Sequence, residues 1–521
     1  MKTLKEIYES SFLIGNIYTP RLPQNATLTK LMAAEFNTIT AENIMKPALI
    51  QPTANKFEFS ASDEMVEFAK KHNFKVVGHT LAWHQQTLNW IDESSVGREA
   101  AIAILRTHIT EIMTRYKGQI IAWDVLNEAI EDGVECDTKD WRKHLRDTPW
   151  KRMIGDDYIN IVFEIAHELD ENARLYYNDY NLNYKQKREA AYYMVKELKE
   201  AGVPIHGIGM QGHYHTNTPI ATVEDSLALF SSLQGIEISV TELDVTVTGS
   251  ENATILSKDH EIEQAQYYAR LFNIYKKYSH VIKRVTFWGT DDVTSWRRER
   301  FPTIFNGDYT QKLSYDAIAN PDEFLKKYPI VEKDMTQIAI ANYGTPVLGD
   351  LTTWNKNEPI HVNRQLTAWE GAVATSYAMW DETYLYILAE VADKTPQNDD
   401  SLTLYLSPAN TKKETYDAFD YQINITANGD VLFKNGPKID NFSSISKFTE
   451  TGYQIALKMP LPEVLNVDNM IGFDMQVTDV NDKLVKQSMA VYNDVTGALA
   501  VQTSGFGNLT FKNDKEVNKN E

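Results

Sequence analysis

The sequence predicts an α/β chain: a (β/α)8 TIM barrel followed by an all-β sandwich domain. Three observations carry that expectation. Residues 1–328 alternate eight short apolar strand candidates with helical runs, the pattern of repeated βα units. Those strands run into polar residues able to bind or react. From about residue 334 the helical period fades, and alternating strands with turn signals take over as far as residue 512.

The strand candidates are Phe12–Gly15, Thr38–Thr40, Val76–Gly78, Ile121–Val125, Leu175–Tyr177, Ile208–Met210, Glu237–Val240 and Val285–Phe287. Helical runs such as Ser62–Lys71, Arg98–Arg115, Tyr158–Leu169, Tyr184–Glu200 and Ile262–Tyr278 lie between them. In a parallel barrel the C-terminal rim of the strands is where active sites form. The second strand is followed by Glu42, Asn43 and Lys46, the third by His79, the fourth by Asn127 and Glu128. The fifth runs into Asn178, Asp179 and Tyr180, and the sixth into Gln211 and His213. The seventh ends on Glu242 and Asp244, the eighth on Trp288. Packing alone gives no reason for polar groups at one end of seven successive strands.

Two of these stretches suggest the chemistry. Ile236–Val245 and Ile120–Glu128 share one grammar: an apolar strand that delivers a glutamate at its end. A carboxylate there needs a reason, because burying charge is expensive. If the two strand ends are neighbours, Glu128 and Glu242 face each other across a cleft. Such a pair supplies the acid and the base or nucleophile that glycosidic bond hydrolysis needs.

Composition narrows the partners. The formal net charge is −20, from 52 Lys+Arg against 72 Asp+Glu, and such a surface repels nucleic acid and anionic membrane. The 10 Trp and 27 Tyr suit a neutral, flat-faced ligand. Cys136 is the single cysteine, so no internal disulfide forms, and it has no nearby His or Cys partner. No stretch approaches the ~18 apolar residues of a membrane span. The first nine residues read as an amphipathic helix rather than a signal, so the expected location is cytoplasmic, unless a signal was removed before this numbering began.

The segments Thr40–Lys46, Gly78–His84, Trp123–Glu128, Gly209–His213 and Thr241–Asp244 resemble family 10 glycoside hydrolases, the endo-β-1,4-xylanases. The resemblance spans the whole first domain, in order. It implies a retaining, cofactor-free and metal-free mechanism on xylan or xylo-oligosaccharides. Glu242 is then the nucleophile, and Glu128 the acid and later the base. His213 and Asp244 support the nucleophile, Asn127 holds the sugar's 2-hydroxyl, and Gln211 contacts the nucleophile region. The resemblance assigns Glu42, Asn43 and Lys46 to the non-reducing-side xylose, and His79 and Trp83 to contacts nearer the cleavage point. Trp288 and Trp296 roof that sugar and exclude the hydroxymethyl arm of glucose. Tyr180 is a stacking face on the leaving side. The chain departs from the family at Thr303–Gly307 and at Tyr214-His215, which touches loops rather than chemistry.

Other residues have plainer readings. Asp124 is a structural acid, His84 a packing or supporting residue, Asp291-Asp292 turn residues, and Arg297-Arg298 a solvated or ion-paired edge. The β domain, through Tyr343–Leu348, Trp354, Trp380–Tyr386, Asp400-Ser401 and Ser504–Leu509, resembles family 9 carbohydrate-binding modules. Its two sugar-clamping tryptophans are missing: Gln397 and Ala500 stand there, and Gln422 replaces an expected arginine. Trp354 and Trp380 match core positions, and Trp369 is the one loose aromatic candidate. The resemblance makes a structural calcium plausible, with no ligand set visible in the sequence. Tyr328–Lys333 is too short and too poor in Gly and Ser for a free linker, so the domain is expected to dock on the barrel or on an oligomer partner. Residues 513–521 read as a disordered polar tail.

Two rivals remain open at this stage. One is a related retaining enzyme acting on cellulose-like chains. The other is a non-catalytic sugar-binding barrel, disfavoured because both carboxylates and their supporting residues are present.

Overall fold

The computed structural model describes residues 2–132, 137–250, 253–331, 336–367, 371–461, 470–480 and 487–512. They divide into two compact units, at residues 1–331 and 332–521. Cys136, Trp369, residues 332–333 of the expected linker and the 513–521 tail lie outside the described residues.

In the first unit eight parallel strands close on themselves. They are β1 (Leu13–Tyr18), β2 (Thr38–Ala41), β3 (Lys75–Ala82), β4 (Ile120–Asn127), β5 (Arg174–Asp179), β6 (Gly207–Met210), β7 (Glu237–Thr246) and β8 (Ile282–Phe287). Each pairs with the next, and β1 meets β8 with Leu13 opposite Arg284, which completes the barrel. Most connections carry a helix on the outside. Lys258–Lys277 is one, buried along Ala265, Tyr268, Leu271, Phe272 and Tyr275, the spacing of a helix face that covers a sheet. Its N-cap is Ser257, whose hydroxyl accepts from the His260 N–H. The predicted N-terminal helix shrinks to Leu4–Ile7.

Several strands run further towards the rim than the apolar pattern indicates. β7 continues to Thr246, because His213–His215 adds parallel pairing alongside Asp244–Thr246. Three strands also gain one extra residue near the rim. The register slips between His79 and Ala82 on β3, between Asp124 and Leu126 on β4, and between Val240 and Leu243 on β7. One inserted residue reverses the in–out alternation beyond it. Adjacent residues can then reach the same interior, and each of these strands carries site residues.

The second unit is a curled, mostly antiparallel β domain. Ile338–Tyr343 pairs in parallel with both Val373–Trp380 and Gly507–Lys512. It therefore joins what would be two separate sheets into one hydrogen-bonded network. Alternate residues of Tyr384–Ala392, Ser401–Ser407, Gly452–Pro460 and Met470–Val480 meet in one apolar core. Trp354 is buried against Met379, Tyr386 and Leu388, and Trp380 packs edge-on to Tyr343 and Phe511, so both tryptophans serve the fold.

Candidate active site

Glu128 and Glu242 come together at the rim of the barrel. Gln211 connects them. Its side-chain amide donates to Glu128 Oε1 at 3.0 Å, while its carbonyl accepts the Glu242 N–H at 2.7 Å. Gln211 thus meets the Glu242 region through its backbone, while its side-chain amide serves Glu128. The other oxygen of Glu128 accepts from Trp83 Nε1 at 2.8 Å, with His84 Nε2 3.9 Å away. Glu128 itself has φ 56°, in the left-handed region that costs a residue with a Cβ. Its backbone is fixed there from both sides. The Glu128 N–H donates to the Asn178 carbonyl at 2.8 Å, and Arg146 Nε donates to the Glu128 carbonyl at 3.0 Å.

Glu242 is held differently. Asn178 Nδ2 donates to its Oε1 at 2.9 Å and also to Asn127 Oδ1 at 2.9 Å. Thr241, the neighbour of Glu242, donates to Asn178 Oδ1 at 2.6 Å. Two consecutive strand residues therefore meet one side chain, which the extra residue in β7 makes possible. Gly209 leaves the space, because a Cβ there would sit 2.4 Å from Asn178 Oδ1. The sequence reading places Asn178 at a strand end but gives it no role. The only available signal is its position on the rim beside Asp179.

The second oxygen of Glu242 lies 3.2 Å from His213 Nε2, and His213 Nδ1 lies 3.0 Å from Asp244 Oδ1. Burial alone would lower the His213 pKa. Asp244 and Glu242 outweigh it and raise the imidazole to about 9. Burial works against the Asp244 carboxylate too, but His213 and Arg297 together hold its pKa below the usual value. Trp296 Nε1 donates to Asp244 Oδ2 at 3.1 Å, and its ring stands edge-on to His213. The two carboxylates thus have unlike partners: Glu128 takes the Trp83 and Gln211 donors on its carboxylate, with Arg146 on its backbone carbonyl, whereas Glu242 lies beside a cationic imidazole.

The remaining candidates fall around this pair. Lys46 Nζ donates to Asn43 Oδ1 at 2.8 Å and lies over the Trp83 ring. Burial raises the Glu42 pKa, with Lys46 and Arg21 opposing it. His79 Nδ1 is 3.0 Å from Asp124 Oδ2, and its ring meets Trp288 edge-on, 5.4 Å between centroids. Asp124 also faces Arg284 and remains the structural acid expected of it. Trp288 is buried, whereas Trp296 is 41% exposed, so only the latter presents a broad face to solvent.

Tyr180 requires a correction. It is 1% exposed, and Lys187 lies 3.7 Å from its ring centroid, with Arg146 near the ring as well. Its hydroxyl donates to Asp132 at 2.5 Å. A ring surrounded by buried cations is not a stacking face for sugar. Of the two readings open for Arg297, the ion-paired one holds: it is buried and paired with Asp244 at 2.5 Å. Asp291 and Asp292 are ion-paired turn residues, bound to Arg21 and Lys312.

In the β domain Gln397 and Ala500 are half-buried and Gln422 is buried, so neither clamp position offers an aromatic face. Asp393, Asp400 and Asp479 place carboxylate oxygens within 4.8 Å of one another. Asp393 Oδ2 is buried without a hydrogen-bond partner, which suits a hard cation such as calcium. A bound ion there would neutralise three gathered acids and tie two loop positions, Asp393 and Asp400, to the strand that carries Asp479. The sequence could not show this set, because its members lie 7 and 79 residues apart.

Paired rim carboxylates on a closed parallel barrel define a glycoside hydrolase barrel. A family model described as "Glycosyl hydrolase family 10" matches residues 3–321, and the chain belongs to that family. A second model, "Carbohydrate family 9 binding domain-like", matches residues 349–514. Among curated relatives, endo-1,4-beta-xylanase A of Thermoanaerobacterium saccharolyticum is 34% identical over 99% of this chain and 43% of its own length. The exoglucanase XynX of Acetivibrio thermocellus is 34% identical over 99% of the chain and 46% of its own length. The chain thus spans less than half of these two proteins. Among solved structures, the intracellular xylanase TsXylA of T. saccharolyticum in complex with xylotriose is 38% identical, with a TM-score of 0.56. That match covers 61% of this chain and 98% of the other. Among the described residues, no helix is long and apolar enough to cross a membrane.

Proposed function

We propose that the protein is a retaining endo-β-1,4-xylanase that hydrolyses xylan or xylo-oligosaccharides by double displacement. The observation that carries this reading is the asymmetry of the carboxylate pair. Glu242 lies against His213 and the Asn178 amide, which hold its carboxylate in place for a nucleophile's role. Glu128 is held by Trp83 and Gln211, which orient its carboxyl for the acid and base role. In the first step Glu242 attacks the anomeric carbon, while Glu128 protonates the leaving oxygen. In the second, Glu128 removes a proton from water, which displaces Glu242. In this reading Asn127 takes the 2-hydroxyl, and Glu42, Asn43, Lys46, His79, Trp83, Trp288 and Trp296 take the glycone sugars. The relative solved with xylotriose supports xylose units as substrate.

We place the enzyme in the cytoplasm, acting on imported oligosaccharides. The related intracellular xylanase of T. saccharolyticum and the single cysteine of the sequence support that setting. The β domain, without its two indole faces, is assigned a structural role, docked on the barrel or on a partner. Early-time proton NMR of xylotriose hydrolysis tests the chemistry: the first product should retain the β configuration. Inverted product would overturn the mechanism. Turnover of cello-oligosaccharides comparable to that of xylo-oligosaccharides would instead favour the cellulose-type rival.

A further inference from the structure

Arg297 lies outside the residues that meet substrate in the reading above, yet it is built into the same buried row. Its Nη1 is 2.5 Å from Asp244 Oδ1 and donates to the Tyr214 carbonyl at 3.1 Å. Its Nη2 donates to Thr246 Oγ1 at 3.0 Å and lies 3.3 Å from His215 Nε2. The guanidinium therefore bridges the His213–His215 segment and the end of β7. From it, charges alternate inwards: Arg297 positive, Asp244 negative, His213 positive, Glu242 negative. All four are 9% exposed or less.

We infer that Arg297 is a positioning residue for Glu242, acting through Asp244 and His213 to fix the pH at which Glu242 becomes competent. The inference rests on Glu242 being the nucleophile. Two cations balance two anions only while Arg297 is present. Without it Asp244 keeps its charge against His213 alone, and the row becomes net negative. Protonation of Glu242 then becomes easier, so the acidic limb of activity moves to higher pH. His213 moves the same way, because it too loses a neighbouring cation. It stays protonated and does not cut into the basic limb.

Apart from His215, the other groups facing this row do not supply the missing charge. Glu128, which meets Gln211 from β4, is an acid. Asn178 of β5, Trp296 and Thr246 are neutral. The Tyr268 hydroxyl, from the outer helix, donates to the Pro302 carbonyl. His215 is the remaining titratable neighbour. It lies against the guanidinium, and Thr246 Oγ1 meets its Nδ1 at 2.6 Å. Each charge-free Arg297 variant is therefore also measured with His215→Asn, so that no cation at His215 replaces the guanidinium.

The test uses the full chain and three variants: Arg297→Gln, Arg297→Met and Arg297→Lys. kcat/KM is followed against pH with an aryl β-xylobioside whose leaving group needs no protonation, which removes the acid role of Glu128 from the first step. Arg297→Gln and Arg297→Met should move the acidic limb up by about half a unit to one unit, with a lowered plateau. Arg297→Lys keeps the charge and should leave the limb near its wild-type position, even where the plateau falls. An unmoved limb in either folded charge-free variant would overturn the inference. So would failure of both to fold, which leaves Arg297 a structural role alone. Labelling wild-type enzyme with a 2-fluoro-xylosyl donor, followed by peptide mass spectrometry, separates the two readings. Label on a residue other than Glu242 would refute the nucleophile assignment, whatever Arg297 does.

Discussion

Asn178→Ala is the most informative single change in the site. It removes one donor to Glu242 Oε1, one donor to Asn127 Oδ1 and the acceptor of the Thr241 hydroxyl. All four residues are 5% exposed or less, so water replaces these bonds poorly. A hydrogen bond to a buried charged group is worth about 1.5–3 kcal/mol. The loss falls on the ionised form of Glu242, and about 1.4 kcal/mol corresponds to one pKa unit. The acidic limb of kcat/KM should therefore rise by about one unit, or up to about two if the vacated space stays dry. The plateau should fall by roughly tenfold to a hundredfold, because Asn127 and Glu242 lose their common anchor. The orphaned Thr241 hydroxyl should cost about 1–3 kcal/mol of stability. Steady-state kinetics across the acidic limb, with calorimetric unfolding of the same preparations, measures all three. A lower Tm with an unmoved limb and a plateau within twofold of wild type would reduce Asn178 to packing and refute the reasoning.

Glu128→Ala should lose far more activity on xylan than on aryl xylosides with good leaving groups; equal losses would remove Glu128 from the acid role. Trp296→Ala should narrow the preference for xylotriose over cellotriose, since the exposed indole then no longer blocks a hydroxymethyl group; an unchanged kcat/KM ratio would contradict the roof. The β domain alone should give no heat with xylobiose or cellobiose by calorimetry. Losing two stacking faces, each worth very roughly 1–3 kcal/mol if base stacking is a fair guide, removes most of a weak affinity. Millimolar binding would mean that another surface has taken over.

The sequence by itself determined the barrel and the identity of the carboxylate pair. Eight apolar strands must be buried on both faces, and their polar ends have only the rim to occupy. That logic is local, so it survives without coordinates: Glu128, Glu242, His213 and Asp244 were legible as residues at strand ends. The tertiary structure decided what the pattern could not reach. Strand bulges insert one residue and reverse the alternation, and nothing in the composition of β7 announces that Thr241 and Glu242 will both meet Asn178. Long-range partners are equally hidden. Arg297 reads as a solvated or ion-paired edge in sequence, and its buried partner Asp244 lies 53 residues away. Tyr180 reads as a sugar platform but is surrounded by Lys187 and Arg146. In each case a charge or a ring looks solvent-facing from its neighbours in the chain. Only the folded molecule supplies the opposite charge that makes its burial affordable.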